Sequence, residues 1–247
     1  DWSSDVCSSD LGAESKIARK LINTTCKLNL VDTCLQYEMG NVKGDEKFIH
    51  IYFGNEIAPR GYVWEFFKGK NIANVGVGIV PHEKNPKFYL ERFIKNNDRY
   101  EKASIIEVNA GVVPVGGIIE DCVRENLIVC GEAAHHVNPI HGGGIKEAII
   151  SGKIAGEVVS KCLKKKSYRK KDLEEFNKIW MKERGKKLKK VEKAREVMEK
   201  LKDEDFNYLI EVFDPESILN IAEGNLISVA KLLLKHPKLI KYAKMLL

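Results

Sequence analysis

The sequence lacks the long apolar run of a membrane span, since no stretch approaches about 20 consecutive apolar residues. It also begins without the charged, apolar and small-residue segments of a secretion signal. Its six cysteines form no C-x-x-C pair and no zinc-type spacing, so we expect reduced thiols rather than disulfides. These absences predict a cytoplasmic protein, either free or peripheral on the cytoplasmic membrane.

The positive charge is concentrated in one segment. Residues 160–202 hold 18 Lys and Arg against 7 Asp and Glu, whereas the whole chain has a net charge of +6. Such a run indicates either a solvated lysine-rich face or attraction to an anionic membrane surface. No recognition motif accompanies it, so we expect no nucleic-acid partner. Lys186 and Lys189 are candidate contacts to a lipid phosphate.

Residues 126–159 are the most informative stretch. An apolar run at 127–130 predicts a strand, and three successive glycines at 142–144 then open a helical pattern. Glycines let backbone N–H groups approach a ligand closely, and a helix start attracts anions. An ordinary tight turn between a strand and a helix also explains the pattern. The helix face predicted to lie on a sheet comprises Ile145, Ala148, Ile149, Gly152, Ala155, Gly156 and Val159.

The same stretch resembles a known motif. The order Gly131-Glu132-Ala133-Ala134, then Pro139, then Gly142-Gly143-Gly144-Ile145, resembles the second flavin-binding motif of the geranylgeranyl reductase family. That resemblance implies an FAD enzyme of the hydroxylase-type fold. It also implies that Glu132 accepts a hydrogen bond from the ribityl chain, while Gly143, Gly144 and Ile145 face the flavin and pyrophosphate. The family usually has Asp at this position, so Glu132 is longer by one methylene.

The start of the chain resembles the family in part. Residues 12–19 resemble the end of its Asp-Gly motif, although Leu11 stands where Asp is usual. No G-x-G-x-x-G string, the family's site for the ADP pyrophosphate, occurs in the sequence. We therefore expect a truncated fragment that binds FAD weakly, preceded by a foreign or disordered tail at residues 1–11.

Aromatic and β-branched runs at 47–54, 61–67 and 72–80 predict an antiparallel meander. Its centre resembles the family's aromatic substrate signature, although Phe67 replaces the usual Pro. One face then presents three aromatic residues with two glycines beside them, which predicts an apolar substrate slot. Simple core packing of the aromatic rings is the alternative. The predicted substrate-binding residues are Tyr62, Trp64, Phe66, Gly76 and Gly78, together with Lys189.

The predicted fold class is α/β (α+β). We expect the C-terminal part of a hydroxylase-type FAD-binding domain in residues 12–46 and 115–160, and an antiparallel substrate sheet in residues 47–114. A basic helical region fills residues 161–247. Within the sheet segment, the pattern predicts a short helix at 88–95 and a strand at 104–114.

Three histidines, His135, His136 and His141, lie in the loop before the glycines. A metal site needs converging ligands, and adjacent histidines usually diverge, so we expect no metal. One of the three is a candidate proton donor, with Tyr62 or a cysteine as competitors. The catalytic residue stays unassigned.

The resemblance implies reduction of C=C bonds in the geranylgeranyl chains of archaeal-type membrane phospholipids, by hydride transfer from reduced FAD. NAD(P)H and ferredoxin are both possible electron donors. A flavin monooxygenase of the same fold is one alternative. The other is a non-catalytic fragment that binds membranes through residues 160–202.

Overall fold

The computed structural model describes residues 12–222 and 224–246. The predicted tail at residues 1–11 lies outside these described residues. Within them, no helix is both long enough and apolar enough to cross a bilayer.

The chain forms two compact units, which we call the sheet unit and the helical unit. The sheet unit consists of residues 28–113 and 199–212. The helical unit consists of residues 12–27, 114–198, 213–222 and 224–246. An antiparallel sheet combined with a helical C-terminal part confirms the predicted α/β (α+β) class.

The sheet unit contains a five-stranded sheet with the order β2-β3-β4-β1-β5. Strands β2, β3 and β4 form the predicted antiparallel meander, and β1 also pairs with β4 in the antiparallel sense. The predicted strand at 104–114 is confirmed as β5. The strands are β1 Val31–Gly40, β2 Ile49–Tyr52, β3 Tyr62–Gly69, β4 Ile72–Ile79 and β5 Ser104–Pro114.

One face of this sheet is packed against helix α2, Pro86–Lys95, which confirms the predicted short helix. Asn85 caps it by accepting a hydrogen bond from the Phe88 backbone N–H at 3.0 Å, and proline suits the first helical position. Leu90 of α2 is wholly buried in one cluster with Val75 and Val77 of β4. The alternating side chains of β4 therefore define a core face and an opposite face.

The unit boundaries differ from the predicted domains in two places. Residues 12–46 are predicted to belong to the flavin domain, but β1 pairs with β4 from Thr33 to Met39 and is part of the sheet. Helix α7, Asp203–Val212, is likewise part of the sheet unit rather than of a continuous 161–247 region. Its Phe206 ring stacks on Phe53 at 5.8 Å between centroids, and this aromatic contact holds it there.

The helical unit is built around Trp180, against which the glycine-opened helix and the helices before and after Trp180 pack, and we call this cluster the tryptophan-centred core. Trp180, Phe176 and Leu188 are wholly buried with Val158. A π-helical turn, Met181–Gly185, joins α5 to α6. The helices are α1 Lys16–Ile22, α3 Ile145–Lys165, α4 Lys170–Leu173, α5 Glu175–Trp180, α6 Lys186–Met198, α8 Pro215–Ala222, α9 Leu226–Leu234 and α10 Ile240–Leu246.

The predicted strand at 127–130 is shorter than expected. Strand β7, Leu127–Ile128, forms only a small antiparallel hairpin with β6, Val123–Arg124. The chain then turns at Gly131, whose φ of +67° lies in the left-handed region that favours glycine.

Helix α3 buries a different face from the predicted one. Ile145 and Ile149 are 82% and 68% exposed, and a Cβ added at Gly152 or Gly156 would meet no described atom within 4 Å. The prediction is wrong because the face that carries Ile154 and Val158 packs into the tryptophan-centred core. The buried face consists of Glu147, Ser151, Ile154, Val158 and Cys162.

This exposed face leads to a stability prediction. Gly152→Ala and Gly156→Ala should each raise the free energy of unfolding by about 0.5–1 kcal/mol, because alanine loses less backbone entropy in a helix. Chemical denaturation followed by circular dichroism measures this. Gly117→Ala is the matched control: its φ is +97° and its Cβ would lie 2.6 Å from Glu192 Oε1, so it should destabilise the chain by at least about 1 kcal/mol. Equal effects at all three glycines would contradict the prediction.

Candidate functional site

Two segments that are far apart in sequence meet in the helical unit. The 3-10 helix Gly12–Glu14 packs against a second 3-10 helix, Gly131–Ala134. The Glu132 carboxylate lies so close to Gly12 that a Cβ there would collide with Oε2. Burial raises the pKa of Glu132. The structure thus brings together the two segments that carry the flavin-type resemblance in this unit.

Asn138 organises the loop that leads to α3. Its Oδ1 accepts hydrogen bonds from the backbone N–H groups of Ile140 at 2.9 Å and His141 at 3.5 Å. Its own N–H donates to the Gly143 carbonyl at 3.0 Å, and its carbonyl accepts from Gly142 at 2.9 Å. Gly142 has a φ of +66°, which this tight turn requires. The glycines therefore close a compact turn directly before the helix.

The predicted cofactor residues differ in their availability to a ligand. The Gly143 N–H already donates to His141 Nδ1 at 3.0 Å. Gly144 is the N-cap of α3 and has no side chain to accept from the first turn, so the N–H groups at Ile145 and Lys146 are the natural donors to an anion. Among the predicted cofactor-binding residues, those at the start of α3 are therefore better able to donate a hydrogen bond to a ligand than Gly143 is.

A cavity of about 320 Å³ lies at this helix start. Gly143, Gly144 and Ile145 line one side, and Leu188 and Val191 of α6 line another. Lys146 and Lys187 line it as well, so the lining combines backbone donors and positive charge with aliphatic side chains, which suits a ligand that is partly anionic and partly apolar.

A buried ion pair sets the charge beside this cavity. Glu147, in the first turn of α3, accepts two hydrogen bonds from the Arg184 guanidinium, one of them Nε to Oε2 at 2.9 Å. Both side chains are largely buried. The pair neutralises a carboxylate that would otherwise repel an anion from the helix start. Sequence reasoning missed it, because Arg184 lies 37 residues away and no local pattern links the two.

The three loop histidines have different partners. His135 Nε2 lies 3.0 Å from the Thr24 carbonyl, and its Nδ1 lies 3.5 Å from Cys26 Sγ. His136 stacks on Trp180, and His141 accepts from Gly143. Within the described residues, no three His, Cys, Asp or Glu side chains cluster as metal ligands would.

In the sheet unit, the predicted aromatic face is observed. Ring centroids lie 5.8 Å apart for Tyr62 and Trp64, and 6.3 Å apart for Trp64 and Phe66. Trp64 pairs with Gly76 across the strands, and Tyr62 pairs with Gly78. A Cβ at Gly76 would collide with the indole. This corrects the predicted slot beside the glycines, because the Trp64 ring itself occupies the space over Gly76.

The aromatic rings continue into an exposed apolar surface. Ile49 and Ile51 of β2 pair with Phe66 and Trp64 and are 72% and 44% exposed. Burial raises the pKa of Tyr62 to about 12, with the negative charges of Cys34 and Asp32 adding to the shift. The Tyr62 phenol is therefore protonated at neutral pH. That these residues bind substrate stays a prediction.

Lys189, the predicted phosphate contact, already has a partner. Its Nζ lies 2.6 Å from Glu120 Oε1 on the surface of the helical unit. A lipid phosphate would have to displace this carboxylate. Its role in phosphate binding stays a prediction.

Several known proteins are similar to this chain in sequence and in fold. The family model described as the geranylgeranyl reductase catalytic domain matches residues 31–113. Digeranylgeranylglycerophospholipid reductase 1 of Methanosphaera stadtmanae is 36% identical over 241 residues, covering 94% of this chain and 59% of that protein. A solved geranylgeranyl bacteriochlorophyll reductase-like structure from Thermoplasma acidophilum matches with a TM-score of 0.82 at 29% identity, over 96% of this chain and 60% of that one.

A more distant structure shows the fold alone. A flavin-dependent brominase matches with a TM-score of 0.58 at 14% identity, over 80% of this chain and 51% of that one. The fold is thus one that flavin-dependent enzymes use. The chain belongs to the geranylgeranyl reductase family, and it spans about three fifths of the length of the relatives that it matches.

The environment of His136 leads to a pH prediction. Burial lowers the pKa of His136 to about 3, and the neighbouring His135 adds to the shift. An unfolded histidine has a pKa near 6.5, so the unfolded state binds more protons between pH 6.5 and 3. The contribution of neutral His136 to the free energy of unfolding is therefore complete above pH 6.5. It is lost as the pH falls towards 3, by about 1.4 kcal/mol per pH unit.

The variant His136→Phe tests this by keeping an aromatic ring against Trp180 while removing the titrating group. Denaturant unfolding at pH 6.5 and pH 4.5 should show a shallower pH dependence for the variant, by about one proton. Parallel pH dependences in the two proteins would show that His136 is not the titrating group.

Proposed function

We propose that the chain takes part in the FAD-dependent reduction of C=C bonds in the geranylgeranyl chains of archaeal-type membrane phospholipids. The observation that carries the proposal is the apolar face around Trp64, within the residues that match the geranylgeranyl reductase catalytic domain. An isolated alkene has no carbonyl to polarise, so an enzyme must hold it by shape and apolar contact. Tyr62, Trp64 and Phe66 offer a row of rings for such contact.

The helical unit supplies groups that suit a flavin. The first turn of α3 points N–H donors at the cavity, and the Glu147–Arg184 pair removes the nearest repulsive charge. Glu132 supplies a carboxylate that can accept a hydrogen bond from a ribityl hydroxyl. A reduced flavin, when bound, supplies a hydride to one alkene carbon.

A proton must reach the other alkene carbon. Tyr62 holds its proton at neutral pH but is a weak acid with a pKa of about 12. Burial also lowers the pKa of His135 and His141, so at that pH these rings are neutral imidazoles rather than acidic imidazolium ions. We therefore name no catalytic residue. We place the reaction in the cytoplasm with NAD(P)H or ferredoxin as the electron source.

The other two candidate functions are outcomes of the same experiments. A flavin monooxygenase of this fold would consume oxygen with NAD(P)H and a polar aromatic substrate. The exposed Ile49 and Ile51 beside the aromatic row favour an apolar substrate instead. A non-catalytic fragment would bind anionic membranes without binding FAD.

The role of Glu132 is tested by FAD titration. Glu132→Ala should weaken FAD binding roughly 10- to 100-fold, because a hydrogen bond to a charged group contributes about 1.5–3 kcal/mol. Quenching of flavin fluorescence measures the dissociation constant. Glu157→Ala, an exposed carboxylate on α3, is the matched control and should leave affinity unchanged. Similar affinities for both variants would remove Glu132 from the flavin site.

The role of the aromatic row is tested by turnover. Trp64→Ala should lower kcat/KM for a geranylgeranyl lipid at least about tenfold, since it removes a large apolar contact surface. Mass spectrometry counts the hydrogens added per lipid chain, with reduced FAD supplied in excess. Phe88→Ala, an exposed aromatic residue on α2, should retain full turnover. If Trp64→Ala also retained it, the substrate would bind elsewhere.

A further inference from the structure

The segment that comprises the π-helical turn and α6 presents one face to the loop before α3. That face has an aliphatic centre and an arginine at each end, and in chain order its residues are Arg184, Leu188, Val191 and Arg195. Their intervals of four, three and four residues are those of a single helix face. The first three residues line the cavity at the start of α3. The same face therefore borders both the cavity and the loop.

The two arginines bind the two ends of the glycine loop. Arg184 pairs with Glu147 in the first turn of α3, and Arg195 Nη1 donates to the Pro139 carbonyl oxygen at 2.7 Å. Arg195 is 8% exposed and Pro139 is buried, so water competes little for this hydrogen bond. Residues 140–146, which include the three glycines, are thus fastened at each end to the same helical segment.

The peptide unit between Pro139 and Ile140 is held on both sides. Its oxygen accepts from Arg195, and its N–H donates to Asn138 Oδ1 at 2.9 Å. Rotation of this peptide plane would break both hydrogen bonds at once. The one from Arg195 has a charged donor, which makes it roughly twice as strong as a hydrogen bond between neutral groups. The direction in which the chain enters the glycine turn is therefore fixed before a ligand binds.

The glycines make such a hold necessary. Successive glycines lose much backbone entropy when they are ordered, and Gly144 offers no side chain to cap α3. The backbone N–H groups of Ile145 and Lys146 therefore owe their direction to contacts made from outside the glycines. The Arg195 hydrogen bond is one of these contacts. It comes from a helix that the wholly buried Leu188 anchors in the tryptophan-centred core.

We infer that Arg195 is a positioning residue for the backbone donors at the start of α3. By holding the Pro139–Ile140 peptide, its guanidinium keeps the loop in the conformation that directs those donors into the cavity. The inference rests on the proposed function, because the anion that the donors would receive is the one that FAD carries. No local sequence pattern reveals this role, since 56 residues separate Arg195 from Pro139.

The test compares substitutions at Arg195 with a control on the same helix. Arg195→Met keeps an unbranched side chain but removes every donor, whereas Arg195→Lys keeps a positively charged donor. Lys193→Met, at an exposed position of α6, makes the same charge change away from the loop. Circular dichroism checks that each variant is folded, and Arg195→Gln repeats the test with a neutral polar side chain if Arg195→Met does not fold.

Hydrogen–deuterium exchange followed by mass spectrometry gives the first readout and requires no ligand. In Arg195→Met, peptides covering residues 140–148 should exchange roughly 10- to 100-fold faster, the factor expected for loss of a hydrogen bond from a charged donor. Peptides covering residues 173–180, in the tryptophan-centred core, should keep the exchange rate of the unmodified chain. Arg195→Lys should restore the loop to within about threefold of that chain, and Lys193→Met should leave it unchanged.

Two results of the exchange measurement would overturn the inference. An equal increase in both regions would show that Arg195 stabilises the unit as a whole rather than the loop. An unchanged exchange rate of the loop in Arg195→Met would show that the hydrogen bond to Pro139 does not hold it.

Fluorescence titration with FAD gives the second readout. Arg195→Met should weaken binding roughly tenfold, because the apparent affinity falls with the fraction of molecules whose loop already has the binding conformation. Arg195→Lys should recover most of this loss, and Lys193→Met should match the unmodified chain. Faster exchange of the loop without any loss of FAD affinity would remove Arg195 from the positioning of the donors.

The two readouts separate this inference from the proposed function. If the unmodified chain binds no FAD, the flavin assignment fails, and the exchange measurement alone decides whether Arg195 holds the loop. If Arg195→Met binds FAD as tightly as the unmodified chain does, the flavin assignment stands and the inference about Arg195 fails.

Discussion

The position of the glycine loop depends on the stacking of His136 against Trp180. The two rings lie 4.0 Å apart between centroids at an angle of 24°, and both side chains are wholly buried. His136 lies two residues before Asn138, the residue that ties the glycine turn together by its hydrogen bonds. Its backbone N–H also donates to the Gly131 carbonyl at 3.0 Å. The tryptophan-centred core therefore determines where α3 starts and where its donors lie.

This anchor requires a neutral imidazole. A charged ring in the same place would be desolvated without a counter-ion, which explains why burial depresses the pKa of His136 so far. Aromatic stacking and neutrality together give the loop a rigid base. A loop that presents backbone donors to a ligand benefits from such a base, because the donors are then held in place before the ligand arrives.

Glycines in both units make room for a particular side chain. Gly76 admits the Trp64 indole onto the sheet, and Gly12 admits the Glu132 carboxylate between two 3-10 helices. In each pair the larger residue is one that the family resemblance marks for a functional role. The small residue is therefore best understood through its partner, because it allows the partner to lie against the backbone.

The basic segment shows that a count of charges does not predict which lysines are paired with carboxylates. Lys186 and Lys189 are three residues apart and equally plausible as phosphate contacts by sequence. In the structure, Lys189 pairs with Glu120, whereas Lys186 lines an open groove together with Asn220 and Asn225. The difference comes from residues distant in sequence, namely Glu120 on one side and Asn220 and Asn225 on the other. Such partners cannot be read from local spacing.

The sequence by itself determined the local elements and the family. Alternating aromatic residues predicted the meander, the pattern at 88–95 predicted α2, and the motif at 131–145 carried the resemblance to a flavin-binding loop. Only the tertiary structure decided which face of α3 is buried, that β1 and α7 belong to the sheet unit, and that Arg184 pairs with Glu147. Periodicity reports that a segment has an apolar face, whereas contacts between distant segments determine what packs on that face and which charges are neutralised.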